Sequence, residues 1–223
     1  MWIFTSTRFR AALFFSVAAI ALATSVSLSA ASDATGGEGR FRHSFGADNF
    51  AVTRDAVKLE APQDGMFKIA PRGRNNAVWT YFQLPDDARR HREWSVTALV
   101  NSSSGAGGGV GMWYDDGGYV LLLFPDGQGF MRYYEGKRVA WSAEVKAANF
   151  AWPARLSLVR DANGSVVGRV NDAVIGARLI AVDLKRRALP LVKSVSFATQ
   201  AISGSGSGYA LYERLDVDAW DAQ

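Results

Sequence analysis

From residue 41 onward, apolar and polar positions alternate in short runs, as in WSVTALV (Trp94–Val100) and ARLSLVR (Ala154–Arg160). A period of two is the signature of a strand with one face buried. Gly, Asn, Asp and Pro separate the runs at the roughly 8–12-residue spacing of an all-β sandwich. The expected strands are Phe41–Phe45, Val57–Glu60, Met66–Ile69, Val78–Gln83, Trp94–Asn101, Gly109–Asp115, Tyr119–Phe124, Phe130–Tyr134, Arg138–Trp141, Arg155–Arg160, Val166–Asn171, Ala177–Val182, Ser194–Thr199 and Tyr209–Val217. Helical periodicity is confined to Ser142–Phe150, where one short turn is expected. Strands without a βαβ rhythm predict an all-β, antiparallel sandwich.

The N-terminal pattern is different. Arg8 and Arg10 precede an uncharged, strongly apolar run, AALFFSVAAIALA, which fades into small residues ending at Ala31. Charged, apolar and small-residue regions in that order predict a cleavable signal helix over residues 1–31. The apolar core is shorter than the roughly 20 residues that a membrane span requires. Residues 32–40, SDATGGEGR, read as a flexible leader, and 41–220 as a single sandwich domain. The expected address is export, to the periplasm or beyond, with no membrane span left after cleavage.

Turn chemistry gives the middle of the chain a register. Asp116-Gly117 predicts a two-residue type I′ hairpin, and Pro125-Asp126-Gly127 and Glu135-Gly136 predict the next two turns. On the first of these, Tyr114 faces Tyr119, Met112 faces Leu121 and Val110 faces Leu123, all on one core face. A bulge at Gly129 adds Met131 and Tyr133 to that side. The opposite face then presents Trp113, Arg132, Tyr134 and Trp141. Sugar rings stack on such aromatic surfaces while Arg and rim polar groups pair with hydroxyls. These four are the candidate ligand-binding residues, with a glycan as the expected partner.

Composition narrows the chemistry. The chain has 223 residues and no Cys, which removes disulfides, thiolate metal sites and a cysteine nucleophile. After loss of Arg8 and Arg10, 23 basic residues (25 − 2) face 21 acidic ones, a near balance. Arg72, Arg74, Arg89, Arg90 and Arg92 lie beside Asp86, Asp87 and Glu93, which describes a salt-bridged loop and no nucleic-acid stripe. Both His43 and His91 lack a G-x-S-x-G elbow to serve. The Ser- and Gly-rich stretches at 102–109 and 204–208 read as links. Asp115-Asp116 and Asp216/Asp218 are the acidic pairs, with turn and surface roles, and no catalytic residue is assigned. Asp115, Asp116 and Asp126 are the oxygen donors available to calcium, and no other cofactor is implied.

The run GGVGMWYDDGGYVLLLFPDGQGFMRYYEGKRVAW, with the closing SVSFATQ and GYALYERLDVDAW, resembles concanavalin A-like (laminin-G-like) sandwiches. The nearest group is the bacterial 3-keto-disaccharide hydrolase-like domains. The resemblance implies a jelly-roll of two antiparallel sheets, one able to hold a glycan. Glucanases of this superfold carry a Glu-x-Asp-x-x-Glu pattern, which this chain lacks. The expected function is therefore a non-catalytic, lectin-like one. A hydrolase of the same fold and a structural envelope protein are the alternatives.

Overall fold

A computed structural model describes residues 39–46, 57–60, 66–71, 77–179, 189–202 and 208–221. The expected signal helix, the leader up to residue 38 and the link at 204–207 lie outside these residues; Arg40, the last residue of the expected leader, is already strand. Among the described residues, fourteen strands form two antiparallel sheets. The first sheet contains β1 (Arg40–Phe45), β2 (Val57–Glu60), β3 (Phe67–Pro71), β5 (Glu93–Ser104), β10 (Ala154–Arg160), β11 (Ser165–Val170), β12 (Ala173–Leu179) and β14 (Tyr209–Trp220). Its order is β12-β11-β10-β5-β14-β3-β2, and β1 pairs the C-terminal half of β14, beside the stretch that pairs β3. The second sheet has the order β4-β13-β6-β7-β8-β9. Its strands are β4 (Ala77–Gln83), β6 (Ala106–Trp113), β7 (Gly117–Leu123), β8 (Gln128–Glu135), β9 (Arg138–Lys146) and β13 (Ser194–Ala201). The crossovers between sheets make the architecture a jelly-roll sandwich of concanavalin A-like type.

Period-two alternation explains the core. From the first sheet Trp94, Val96, Ala98, Leu156, Leu158, Leu215 and Val217 point inward, all buried. Val110, Met112, Leu121, Met131, Val195 and Phe197 meet them from the second. Tyr212 crosses this interface. Its hydroxyl donates to the Ala198 carbonyl at 2.6 Å, lies 2.9 Å from Thr199 Oγ1 and accepts from the Gly109 N–H at 3.1 Å. Burial pushes the phenol far up, so it remains a neutral donor. At one end of the sandwich the buried Arg160 donates to the carbonyls of Arg92, Pro190 and His91 at 2.9, 2.6 and 3.0 Å.

Three local expectations are corrected. The Ser/Gly stretch at 102–109 is strand, not link: β5 runs to Ser104, Gly105 turns at φ 60° and β6 starts at Ala106. Ser142–Lys146 continues β9 in place of the expected helical turn. The first hairpin loop is Asp115-Asp116, closed by Tyr114 N–H to the Gly117 carbonyl at 2.7 Å. Gly117 enters β7 because a Cβ there would collide with the Tyr134 carbonyl. Each pairing is thus displaced by two: Met112 faces Tyr119 and Val110 faces Leu121. A shift of two preserves the faces.

Candidate functional site

The outer face of the six-stranded sheet carries a second, smaller aromatic cluster. Val120, Leu122, Phe130, Tyr134 and Ala198 are buried there, with Trp79, Trp113 and Phe124 packed over them. These residues are buried without an opposing sheet because large rings lie across the strands. Trp113 is the centre. Its ring centroid is 5.2 Å from Tyr81, 6.1 Å from Tyr134 and 6.3 Å from Trp79, and Trp79 lies 5.8 Å from Tyr134.

Glycine lets Trp113 lie on the sheet. A Cβ built at Gly111 or Gly118, its outward-facing neighbours on β6 and β7, would run into the Trp113 indole. The ring therefore rests where two side chains are missing, and its N–H donates to Ser196 Oγ on β13 at 2.8 Å. This is the signal that alternation alone did not reveal: Gly at outward positions beside an outward Trp is a shelf for the ring. Trp79 and Tyr81, on β4, extend the patch, because their cross-strand partners are Ala198 and Ser196. Sequence patterning placed both in a strand without attaching them to this face.

Of the four candidates, Trp113, Arg132 and Tyr134 share this face. Arg132 sits over the Phe130 ring, 3.6 Å from its centroid, and donates to Ser142 Oγ at 3.3 Å. Tyr134 is only 4% exposed and acts as a wall of the cluster. Trp141 is on the other side. A bulge in the β8–β9 ladder makes Tyr134 oppose Val139 and Tyr133 oppose Trp141, so Ala140 is skipped. The extra residue inverts everything beyond it. Trp141 packs with the main core beneath Arg178, whose guanidinium is 4.9 Å from the ring centroid.

The rim is polar. Lys193 pairs with Asp115 at the end where Trp113 emerges, and Ser142 and Glu144 stand on the β9 edge. Burial, reinforced by Tyr134, pushes the Tyr81 phenol up to about 12, so it stays protonated as a hydrogen-bond donor. The Trp79 indole N–H has no acceptor among the described residues. Among the described residues facing outward on these strands, Glu144 is the single carboxylate.

Elsewhere the acidic groups serve structure. Asp126 Oδ1 accepts from the Gln128 N–H at 3.0 Å within its turn. Asp115-Asp116 and Asp126 lie at opposite ends of the seven-residue β7, about 20 Å apart, so they do not share a cation. No cluster of three or more His, Asp or Glu residues occurs among the described residues. His91 Nδ1 is 3.1 Å from Asp221 Oδ2, and His43 lies between Phe41, to which it is stacked, and Phe45, which it meets edge-to-face.

No family model matches the chain, and no curated protein does. Solved structures do match. The β-glucanase of Bacillus licheniformis superposes with a TM-score of 0.52 at 9% identity, over 85% of this chain and all of that one. The carbohydrate recognition domain of Emp47p gives 0.48 at 13% identity, over 79% and 95% of the two chains. A botulinum neurotoxin type C structure gives 0.48 at 9% identity over 82% of this chain. The present chain spans 44% of that neurotoxin chain. At these identities the likeness is one of fold, the β-sandwich shared with the β-glucanase.

Proposed function

We propose that the chain is a carbohydrate-binding β-sandwich whose ligand lies on the outer face of the six-stranded sheet. The observation that carries this reading is the Trp113 ring resting on Gly111 and Gly118, flanked by Trp79 and Tyr81. An indole presented flat suits the apolar face of a pyranose, and Arg132, Ser142 and Lys193 at the margins suit its hydroxyls. Shared fold with glycan-active and glycan-binding proteins is consistent with the reading. Hydrolysis needs two carboxylates flanking the scissile bond. On the described part of this face Glu144 is the one strand carboxylate, and Asp115 at the rim is paired with Lys193, which supports binding over turnover. The likeness to 3-keto-disaccharide hydrolase-like domains carries the hydrolytic alternative. Export belongs to the same proposal: cleavage after Ala31 would deliver the sandwich to where polysaccharides are met, and the N-terminal sequence of protein recovered outside the cytoplasm checks it.

The test is a glycan array with the purified protein, run with and without calcium, alongside titrations followed by Trp fluorescence. The expected result is a glycan that perturbs the emission and whose affinity falls at least fivefold in Trp113→Ala. Silence across the array would turn the assignment to a structural envelope protein. Consumption of the glycan would turn it to a hydrolase.

A further inference from the structure

The opposite side of the molecule carries a polar cleft of about 590 Å³ on the outer face of the eight-stranded sheet, where β1, β14, β5 and β10 run side by side. That volume lies within the range of small-molecule sites. Its walls include Arg42, Ser95, Thr97, Arg155, Asp216 and Asp218. The cross-strand rows Ser44–Asp216–Thr97–Ser157 and Arg42–Asp218–Ser95 bring them together.

The charges in the cleft are unequally committed. Asp218 accepts from Arg40 Nε at 2.8 Å and Nη2 at 2.5 Å, and from Arg42 Nε at 3.3 Å. Asp216 accepts from Ser44 Oγ at 2.5 Å and from Arg214 Nε at 3.0 and 3.1 Å. Both carboxylates are thus neutralised from the rim. Thr97 and Ser157 are buried on the floor, their hydroxyls 2.9 Å apart. Arg155 is the exception. Its backbone N–H donates to Asn171 Oδ1 at 2.9 Å, while its exposed guanidinium has no partner among the described residues. Arg40, Arg42, Arg155 and Arg214 stand against Glu213, Asp216 and Asp218, since Glu213 also accepts from Arg214 at 2.8 Å. The balance is one positive charge, and of the two arginines that line the cleft Arg155 is the one left to pair.

We propose that this cleft is a second binding site, for a monoanionic sugar acid. The ligand carboxylate pairs with the Arg155 guanidinium in the two-pronged geometry that Arg favours. The ligand hydroxyls exchange hydrogen bonds with Ser95, Thr97 and the unoccupied lone pairs of Asp216 and Asp218. No aromatic platform is involved, so the site recognises by charge and hydrogen bonding. This inference is independent of the aromatic face.

Calorimetric titration of the full chain at low salt tests it with three probes: D-glucuronate, D-glucose (the hydroxyls without the charge) and acetate (the charge without the hydroxyls). The expected result is that glucuronate binds at least about tenfold more tightly than either, and that Arg155→Gln removes about a tenfold factor, the scale of one charge-assisted hydrogen bond. Arg155 is exposed, so an unchanged melting temperature is expected to accompany the loss. Trp113→Ala should leave glucuronate binding unchanged, which separates this site from the aromatic face. Absence of glucuronate binding, equal binding of acetate, or insensitivity to Arg155→Gln would each overturn the proposal.

Discussion

At the scale of single residues, the aromatic face depends on side chains that are absent. Trp113 occupies the space above Gly111 and Gly118, and its N–H is anchored on Ser196. Gly118→Ala places a methyl against the indole and 2.7 Å from the Met112 carbonyl, where backbone relief is hard to find. Overpacking of this kind costs about 1–3 kcal/mol. The expected outcome is a lower urea midpoint by that amount, together with a shift in Trp emission as the ring lifts. Glycan affinity should fall with it, because the platform is lost even though Trp113 is retained. Unchanged stability and emission would mean that the ring does not rest on the sheet. Ser196→Ala is the milder companion, leaving the indole N–H without its partner at a cost of about 1 kcal/mol.

At the scale of elements, one inserted residue separates two tryptophans that strict alternation puts side by side. The bulge at Ala140 sends Trp141 to the core side, opposite Tyr133 and under Arg178. Trp141→Ala should therefore lower stability by about 1–3 kcal/mol, through lost packing and the lost cation–π contact. Glycan affinity should stay within about twofold of the parent, since the ring is not on the ligand face. Trp113→Ala should show the reverse balance, and chemical denaturation beside the same titration distinguishes them. These strands also mark how far the pattern was legible. Alternation located strands such as β5, β10 and β11, where burial imposes the period of two. β7 is buried on both faces and was marked by its apolar run between turns, and the window expected at Ala177–Val182 meets β12 only at its end. Faces followed for Trp113, Arg132 and Tyr134, since a register error of two keeps parity. Bulge positions did not follow. Ala140 has no property that marks it as the skipped residue, and the glycines at 117 and 129 resemble turn formers until Tyr134 and Leu122 are seen against them. Trp79 and Tyr81 joined the site only through non-local pairing of β4 with β13, and that information is absent from any local window.

At the scale of the whole molecule, β1 closes the sandwich beside β14 and carries the groups that make its stability depend on pH. Its inward residues are Phe41, His43 and Phe45, and His43 Nε2 is buried with no hydrogen-bond partner among the described residues. Burial pushes the imidazole below its ordinary value of 6.5, so the folded state prefers it neutral. The sign follows: below pH 6.5 the unfolded chain takes up a proton that the folded chain resists, and stability falls as the solution is acidified. On the other face of the same strand pair, Asp218 behaves differently. Burial pushes its carboxyl up, but the hydrogen bonds and charges of Arg40 and Arg42 outweigh this and hold it below 3.8. Its contribution is complete above that value and is lost as pH drops through the folded pKa. Urea midpoints measured from pH 8 to pH 3 should therefore decline in two separate windows, one beginning near 6.5 and one below 3.8. His43→Phe, which continues the aromatic row, should flatten the upper window and spare the lower. Asp218→Asn should spare the upper window and shrink the lower, part of which remains because Asp221, held by the Arg92 N–H and His91, is also lowered. A single window abolished by either substitution alone would mean that β1 is not held by two independent faces.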